Sequence, residues 1–173
     1  MAEARRPLRV LFVCTANSAR SQIAEALLAA RRDSRLEAGS AGTHPAPRVN
    51  PHALEVLREY GIDASAARPK TIDEVLAQHW DIVITVCDSA RESCPVFPGQ
   101  PTTAHWGVPD PAAVEGDAEE KRRAFRDAAR VLNRRIELML ALPFDKLEAL
   151  ALQAALRSIG TQGTTAQPAG ERA

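Results

Sequence analysis

Apolar residues follow two rhythms along this chain. Leu8 to Val13 and Asp81 to Val86 are short, nearly unbroken apolar runs, the second with Ile82, Val83, Ile84 and Val86, and such β-branched stretches predict strands buried on both faces. Elsewhere apolar positions recur every three or four residues. Ser21 to Arg32 reads as a helix, and so does Pro51 to Tyr60, which starts at Asn50-Pro51 and stops at Gly61. Thr71 to His79 predicts a shorter helix. From about Asp117 to Leu142, Phe125, Ala129, Leu132 and Ile136 mark one buried stripe of a long helix. Leu36 to Ala41 predicts a second strand ending at Gly42, and the proline-rich stretch 95–109 has room for one more near Thr103 to Trp106. Phe144 to Ile159 predicts a last amphipathic helix through Leu147, Leu150 and Ala154.

Strands alternating with helices predict a three-layer α/β/α fold around a central, mostly parallel four-stranded sheet. Residues 1–159 are expected to form one domain. Residues 160–173 are expected to form a flexible tail, because after Gly160 nothing apolar is larger than alanine. In such sheets ligands bind beyond the carboxyl ends of the strands. Cys14 and Cys87 each follow an apolar strand, so the fold brings both to one rim.

Composition narrows the picture. The 173 residues carry 22 basic and 22 acidic side chains, a formal net charge of zero, which offers no extended surface for nucleic acid. No apolar run reaches membrane-spanning length, and Met1 to Arg6 has no apolar signal segment, so the expected location is the cytoplasm. There the three cysteines read as free or catalytic thiols rather than as a disulfide framework. The four histidines are too scattered to suggest zinc, and no metal site is expected. The chain is expected to be a monomer.

The chemistry concentrates in Cys14-Thr15-Ala16-Asn17-Ser18-Ala19-Arg20-Ser21, between the first strand and the first helix. A loop that turns from strand into helix points several N–H groups inward, and the helix N-terminus adds partial positive charge, so a tetrahedral oxyanion is favoured there. The same field is expected to lower the pKa of Cys14 and make it a nucleophile. Arg20 offers a planar fork for two oxygens of the anion, and Ser21 is placed to hydrogen-bond the sulfur. A second feature is Cys87 to Cys94, with six residues between the two cysteines. They can bond if the intervening turn tightens, since a disulfide needs Cα atoms about 4.4 to 6.8 Å apart. A helix there would hold them about 10 Å apart instead.

These segments, together with Ser40-Ala41-Gly42-Thr43, Asn50-Pro51, Tyr60-Gly61-Ile62-Asp63, Cys94-Pro95 and His105-Trp106-Gly107-x-x-Asp110-Pro111-Ala112, resemble the thioredoxin-coupled arsenate reductases, which share the low-molecular-weight protein tyrosine phosphatase fold. The resemblance runs from about Leu8 to Leu142. It implies that Thr15 to Ser21 bind the oxyanion, that Cys14, Arg20, Cys87, Cys94 and Asp110 are catalytic, and that Asp110 is a general acid. It further implies a Cys14/Cys87/Cys94 relay that reduces arsenate to arsenite. No bound cofactor is then needed, the electrons coming from reduced thioredoxin at about −270 mV.

Asn17 and Ser40 are expected to hold the loop's shape. In some relatives residues like Asn17, Glu25 and Ser40 surround a monovalent cation. Ala19 departs from both families, which commonly carry a second cysteine there. Two other classes use the same loop: a tyrosine phosphatase built on Cys14, Arg20 and Asp110, with water as second nucleophile, and a non-catalytic oxyanion-binding or thiol-sensing protein. Against the phosphatase, Ala112 and Ala113 stand where phosphatases place aromatics, and Cys87 and Cys94 would have no task.

Overall fold

The computed structural model describes residues 5–162. Its four strands are β1 (Leu8–Cys14), β2 (Leu36–Gly42), β3 (Ile82–Thr85) and β4 (Thr102–His105), all parallel, in the order β2-β1-β3-β4. The helices are α1 (Arg20–Ala30), α2 (Pro51–Glu59), α3 (Ile72–Val75), α4 (Asp88–Ser93), α5 (Ala118–Leu140) and α6 (Ala149–Thr161), with a 3-10 turn at Pro111–Ala113. The result is the expected three-layer α/β/α sandwich. Among the described residues, no helix is long and apolar enough to cross a membrane.

β1 is central, and Val10, Leu11, Phe12 and Val13 are fully buried, which is why that run shows no polar alternation. The strand order reverses direction between β1 and β3: the chain leaves β1 toward β2 on one side, then crosses to β3 on the other. At such a switch point the loops leaving the two strands diverge and open a crevice at their carboxyl ends. At the opposite end of the sheet Asp81 ties the layers together, accepting from Arg9 N, both Arg6 Nη atoms and the His79 ring.

Two helices differ from the sequence expectation, the second of them at both ends. The helix expected over 71–79 is the single turn α3, begun by a Thr71/Glu74 capping box; beyond it Trp80 is buried, its indole donating to Val75 O at 2.9 Å. The last helix starts at Ala149 rather than Phe144, because Arg35 takes hold of the chain leaving α5. Its guanidinium donates to Leu140 O and Leu142 O and lies over the Phe144 ring, 5.4 Å from its centroid. That helix also runs past the expected stop at Gly160. Gly160 is buried, and a β-carbon there would overlap the His105 carbonyl oxygen. The glycine is thus a close-packing position inside α6, and 160–162 are not part of a tail; the rest of the expected tail, 163–173, lies outside the described residues.

Candidate active site

The loop between Cys14 and Arg20 is shaped from outside. Its carbonyls accept from the segment that follows β2: Thr43 N to Cys14 O (3.1 Å), His44 N to Thr15 O (2.8 Å), Ala46 N to Ala16 O (2.9 Å) and Asn50 N to Ser18 O (2.8 Å). In a trans peptide the N–H points opposite to the C=O. With the carbonyls turned outward, the N–H groups of the same peptides, those of Thr15, Ala16, Asn17 and Ala19, turn inward. Asn17 N accordingly donates to Cys14 Sγ at 3.1 Å. Gly42 lies beneath, where a β-carbon would come within 2.5 Å of Thr15 O, so β2 has to end in glycine.

Asn17 is fully buried and in the left-handed region (φ 49°), a conformation asparagine tolerates when its side chain is locally bonded. Its amide donates to Ser21 Oγ (2.7 Å) and Ser40 Oγ (3.0 Å), while its carbonyl oxygen accepts from Gln22 Nε2 (3.0 Å) and Lys70 N (2.9 Å). Asn17 and Ser40, expected to hold the loop's shape, are thus bonded to each other, and Gln22 and Lys70 bond the same Asn17 side chain without any local sequence signal. The acceptors proposed for a monovalent cation are already engaged. Ser40 donates to Glu25 at 2.5 Å, and the Lys70 ammonium stands 3.9 Å from the same carboxylate. The positive charge beside Glu25 thus comes from the chain. Among the described residues no cluster of His, Cys, Asp or Glu is arranged to hold a metal ion.

Cys14 is buried, its sulfur 2.8 Å from Ser21 Oγ. Burial is the largest influence on the thiol and pushes it up; the Ser21 hydroxyl and the Ser21 and Asn17 N–H groups pull it down, and neighbouring Cys87 pushes it up again. This corrects the expectation of a lowered thiol: desolvation outweighs the local hydrogen bonds. The positive N-terminus of α1 still acts in the opposite direction.

Arg20 donates to Val108 O at 3.0 Å and faces the Asp110 carboxylate at 3.7 Å. Asp110 also caps the 3-10 turn, accepting from Ala112 N at 2.9 Å. Cys87 leaves β3 as the N-cap of α4, accepting from Ala90 N at 3.4 Å, and its sulfur lies 3.3 Å from Thr15 Oγ1. Cys94, half-buried, caps the other end of α4, and burial pushes its thiol up. Cys14, Arg20, Cys87 and Asp110 line one pocket of about 890 Å³, and Thr15, Ala16, Ser18 and Ala19 also face it. Cys94 does not: it opens into a separate groove of about 770 Å³ with Phe97 and Arg157. His105 lies between the two, bonded to Thr85 Oγ1 and Asp88 Oδ1, and buried Trp106 donates to Leu156 O.

A buried thiol ringed by inward N–H groups, at the switch point of a four-stranded parallel sheet, defines the class. The chain belongs to the low molecular weight phosphotyrosine protein phosphatase family, whose pattern matches residues 9–153. Within it, the chain is 40% identical over 128 residues to the arsenate reductase of Halalkalibacterium halodurans, a match covering 74% of this chain and 91% of that protein. A thioredoxin-dependent arsenate reductase of Corynebacterium glutamicum superposes with a TM-score of 0.55 at 34% identity, over 79% of this chain and 65% of that one. An arginine phosphatase from Geobacillus stearothermophilus superposes with a TM-score of 0.61 at 28% identity, over 82% and 99%.

Proposed function

We propose that this chain reduces arsenate to arsenite through Cys14, Cys87 and Cys94, with a reduced dithiol protein of the thioredoxin type returning the electrons. The observation that carries the reading is the placement of Cys87. It brings a second sulfur to the wall of the pocket that holds Cys14, where a phosphatase needs only water.

In this reading arsenate sits on the inward N–H groups and the Arg20 fork. Cys14 passes its S–H proton to an oxygen of the bound arsenate and attacks arsenic as the thiolate. An As–S bond forms, and Asp110 protonates the departing oxygen, which leaves as water. Cys87, as thiolate, attacks Cys14 Sγ. The As–S pair of electrons goes to arsenic, As(V) becomes As(III), arsenite departs and a Cys14–Cys87 disulfide remains. Cys94 then attacks Cys87, freeing Cys14. The external dithiol reduces the Cys87–Cys94 bond and is itself oxidised to a disulfide.

The test is arsenate-dependent NADPH oxidation with thioredoxin and its reductase. Wild type should turn over, while Cys87→Ser and Cys94→Ser should lose multiple turnover. Equal rates in all three overturn the relay. The second reading, a phosphatase, is favoured by the family's description and by the likeness to the arginine phosphatase. Consumption of a phosphate monoester or phosphoarginine with no arsenate-dependent oxidation would put it in first place.

A further inference from the structure

Asp110 has little to hold it in place. Its side chain is 42% exposed, and among the described residues its polar contacts are the Ala112 N–H and Arg20 at 3.7 Å. Its position is set by the backbone that delivers it, residues 105–109, and that segment is gripped from several elements. Trp106 N and Val108 N donate to Thr85 O and Val86 O on the β3 side. Arg20 takes Val108 O. The preceding carbonyl, Gly107 O, is taken at 3.0 Å by Arg135 of α5.

Arg135 is 1% exposed, and its hydrogen-bond partners among the described residues are two carbonyl oxygens rather than a carboxylate. Burying a guanidinium without an opposite charge is costly, so the position calls for an explanation beyond packing. Its second partner is Gln162 O, 3.3 Å away at the C-cap of α6. The same helix touches the segment twice more: Leu156 O accepts from the Trp106 indole, and Gly160 lies against the His105 carbonyl. One rigid fork thus ties the end of α6 to the peptide three residues before Asp110, next to the carbonyl that holds the oxyanion-binding arginine.

We propose that Arg135 is a positioning residue for Asp110, and that through it α6 is a working part of the active site. The inference rests on the reading of Asp110 as the general acid. Displacement of a reacting group by about 1 Å can cost on the order of a hundredfold in rate, and a fork on Gly107 O restrains the hinge of that displacement.

The experiment is single-turnover thiol loss in the fully reduced chain on mixing with arsenate, read at saturating and sub-saturating arsenate. Asp110→Asn should slow the saturated rate about a hundredfold. Arg135→Met should slow it about tenfold, with the arsenate concentration for half-saturation changed by less than about threefold, because the fork acts on the acid and not on the anion cradle. The decisive variant combines the two: it should be no slower than Asp110→Asn alone, whereas a merely structural role would multiply the losses. Arg135→Lys, which can reach one carbonyl, should recover part of the rate. Gly160→Ala reaches the same segment from α6 and serves if Arg135→Met does not fold; it too should be silent in the Asp110→Asn background. Multiplicative losses, or a folded Arg135→Met with the wild-type rate, overturn the inference and leave the site reading intact. A wild-type chain that loses no thiol to arsenate, or an Asp110→Asn variant as fast as wild type, overturns the site reading itself.

Discussion

The Thr15 hydroxyl and the Cys87 sulfur are 3.3 Å apart, although 72 positions separate them in sequence. The contact joins the loop after β1 to the helix after β3 across the switch point of the sheet. It sets the second thiol against the cradle of the first.

Thr15→Val keeps the volume and removes the hydroxyl. It should leave the first step on Cys14 unchanged and slow formation of the Cys14–Cys87 disulfide about fivefold, the worth of one ordinary hydrogen bond. Acid-quenched mass mapping after arsenate mixing measures both; equal disulfide rates would remove Thr15 from the second step.

Ser21→Ala removes the hydroxyl that lowers the Cys14 thiol against its burial. The thiol should rise further, so alkylation of Cys14 by iodoacetamide near neutral pH should slow several-fold, on the order of what one lost hydrogen bond costs. An unchanged rate at neutral pH, with the same alkaline limit, would show that the hydroxyl does not tune the sulfur.

Burial pushes both Cys14 and Cys94 up in the folded chain. Above the unfolded thiol value of about 8.5, the unfolded chain gives up protons that the folded chain keeps, so stability falls as pH rises. It is fully present below that value. Denaturant unfolding under reducing conditions should show a steeper alkaline decline for wild type than for a Cys14→Ala/Cys94→Ala chain; parallel declines would contradict the shift.

Asp81 behaves in the opposite sense. Burial resists its charge, but the bonds from Arg6, Arg9 N and His79 outweigh that and hold the carboxyl well below the usual carboxylate range. Its contribution is present above the unfolded value of about 3.9 and is lost as pH falls. Asp81→Asn should cost about 1–3 kcal/mol at neutral pH, the worth of hydrogen bonds to a charged group, and the difference from wild type should shrink below about pH 4. A constant difference down to acid pH would refute the assignment.

Cys87 and Cys94 cap opposite ends of α4, and Arg91 N donates to Cys87 O across its first turn. Seven positions of helix span about 10 Å, more than a disulfide allows, so joining the two sulfurs requires α4 to come apart. Amide exchange at Ala90 and Arg91 should speed up after an arsenate turnover without reductant, and should not in Cys94→Ser. Retained protection in a chain carrying that disulfide would rule out the rearrangement.

Much of this was legible in the order of residues. The unbroken run at β1, the Cys14 to Arg20 spacing before a helix, Asn50-Pro51 and the stripe of α5 are local patterns, and local patterns report torsions and buried faces directly. Less legible were α3 and the start of α6, where Trp80 and Arg35 redirect the chain through contacts with distant elements. Gly160 resembles a helix stop in sequence, and in the fold it is the place where α6 lies against His105.

By itself the chain's sequence determined the alternation of elements and the place of the Cys14 to Arg20 loop between the first strand and the first helix. These depend on neighbours within a few residues. Only the tertiary structure decided that Cys14 is pushed up rather than down, that Lys70 supplies the charge beside Glu25, and that Arg135 links α6 to the Asp110 segment. Desolvation and hydrogen bonding at a buried atom sum over whatever packs around it, and the residues that pack there come from every layer of the fold.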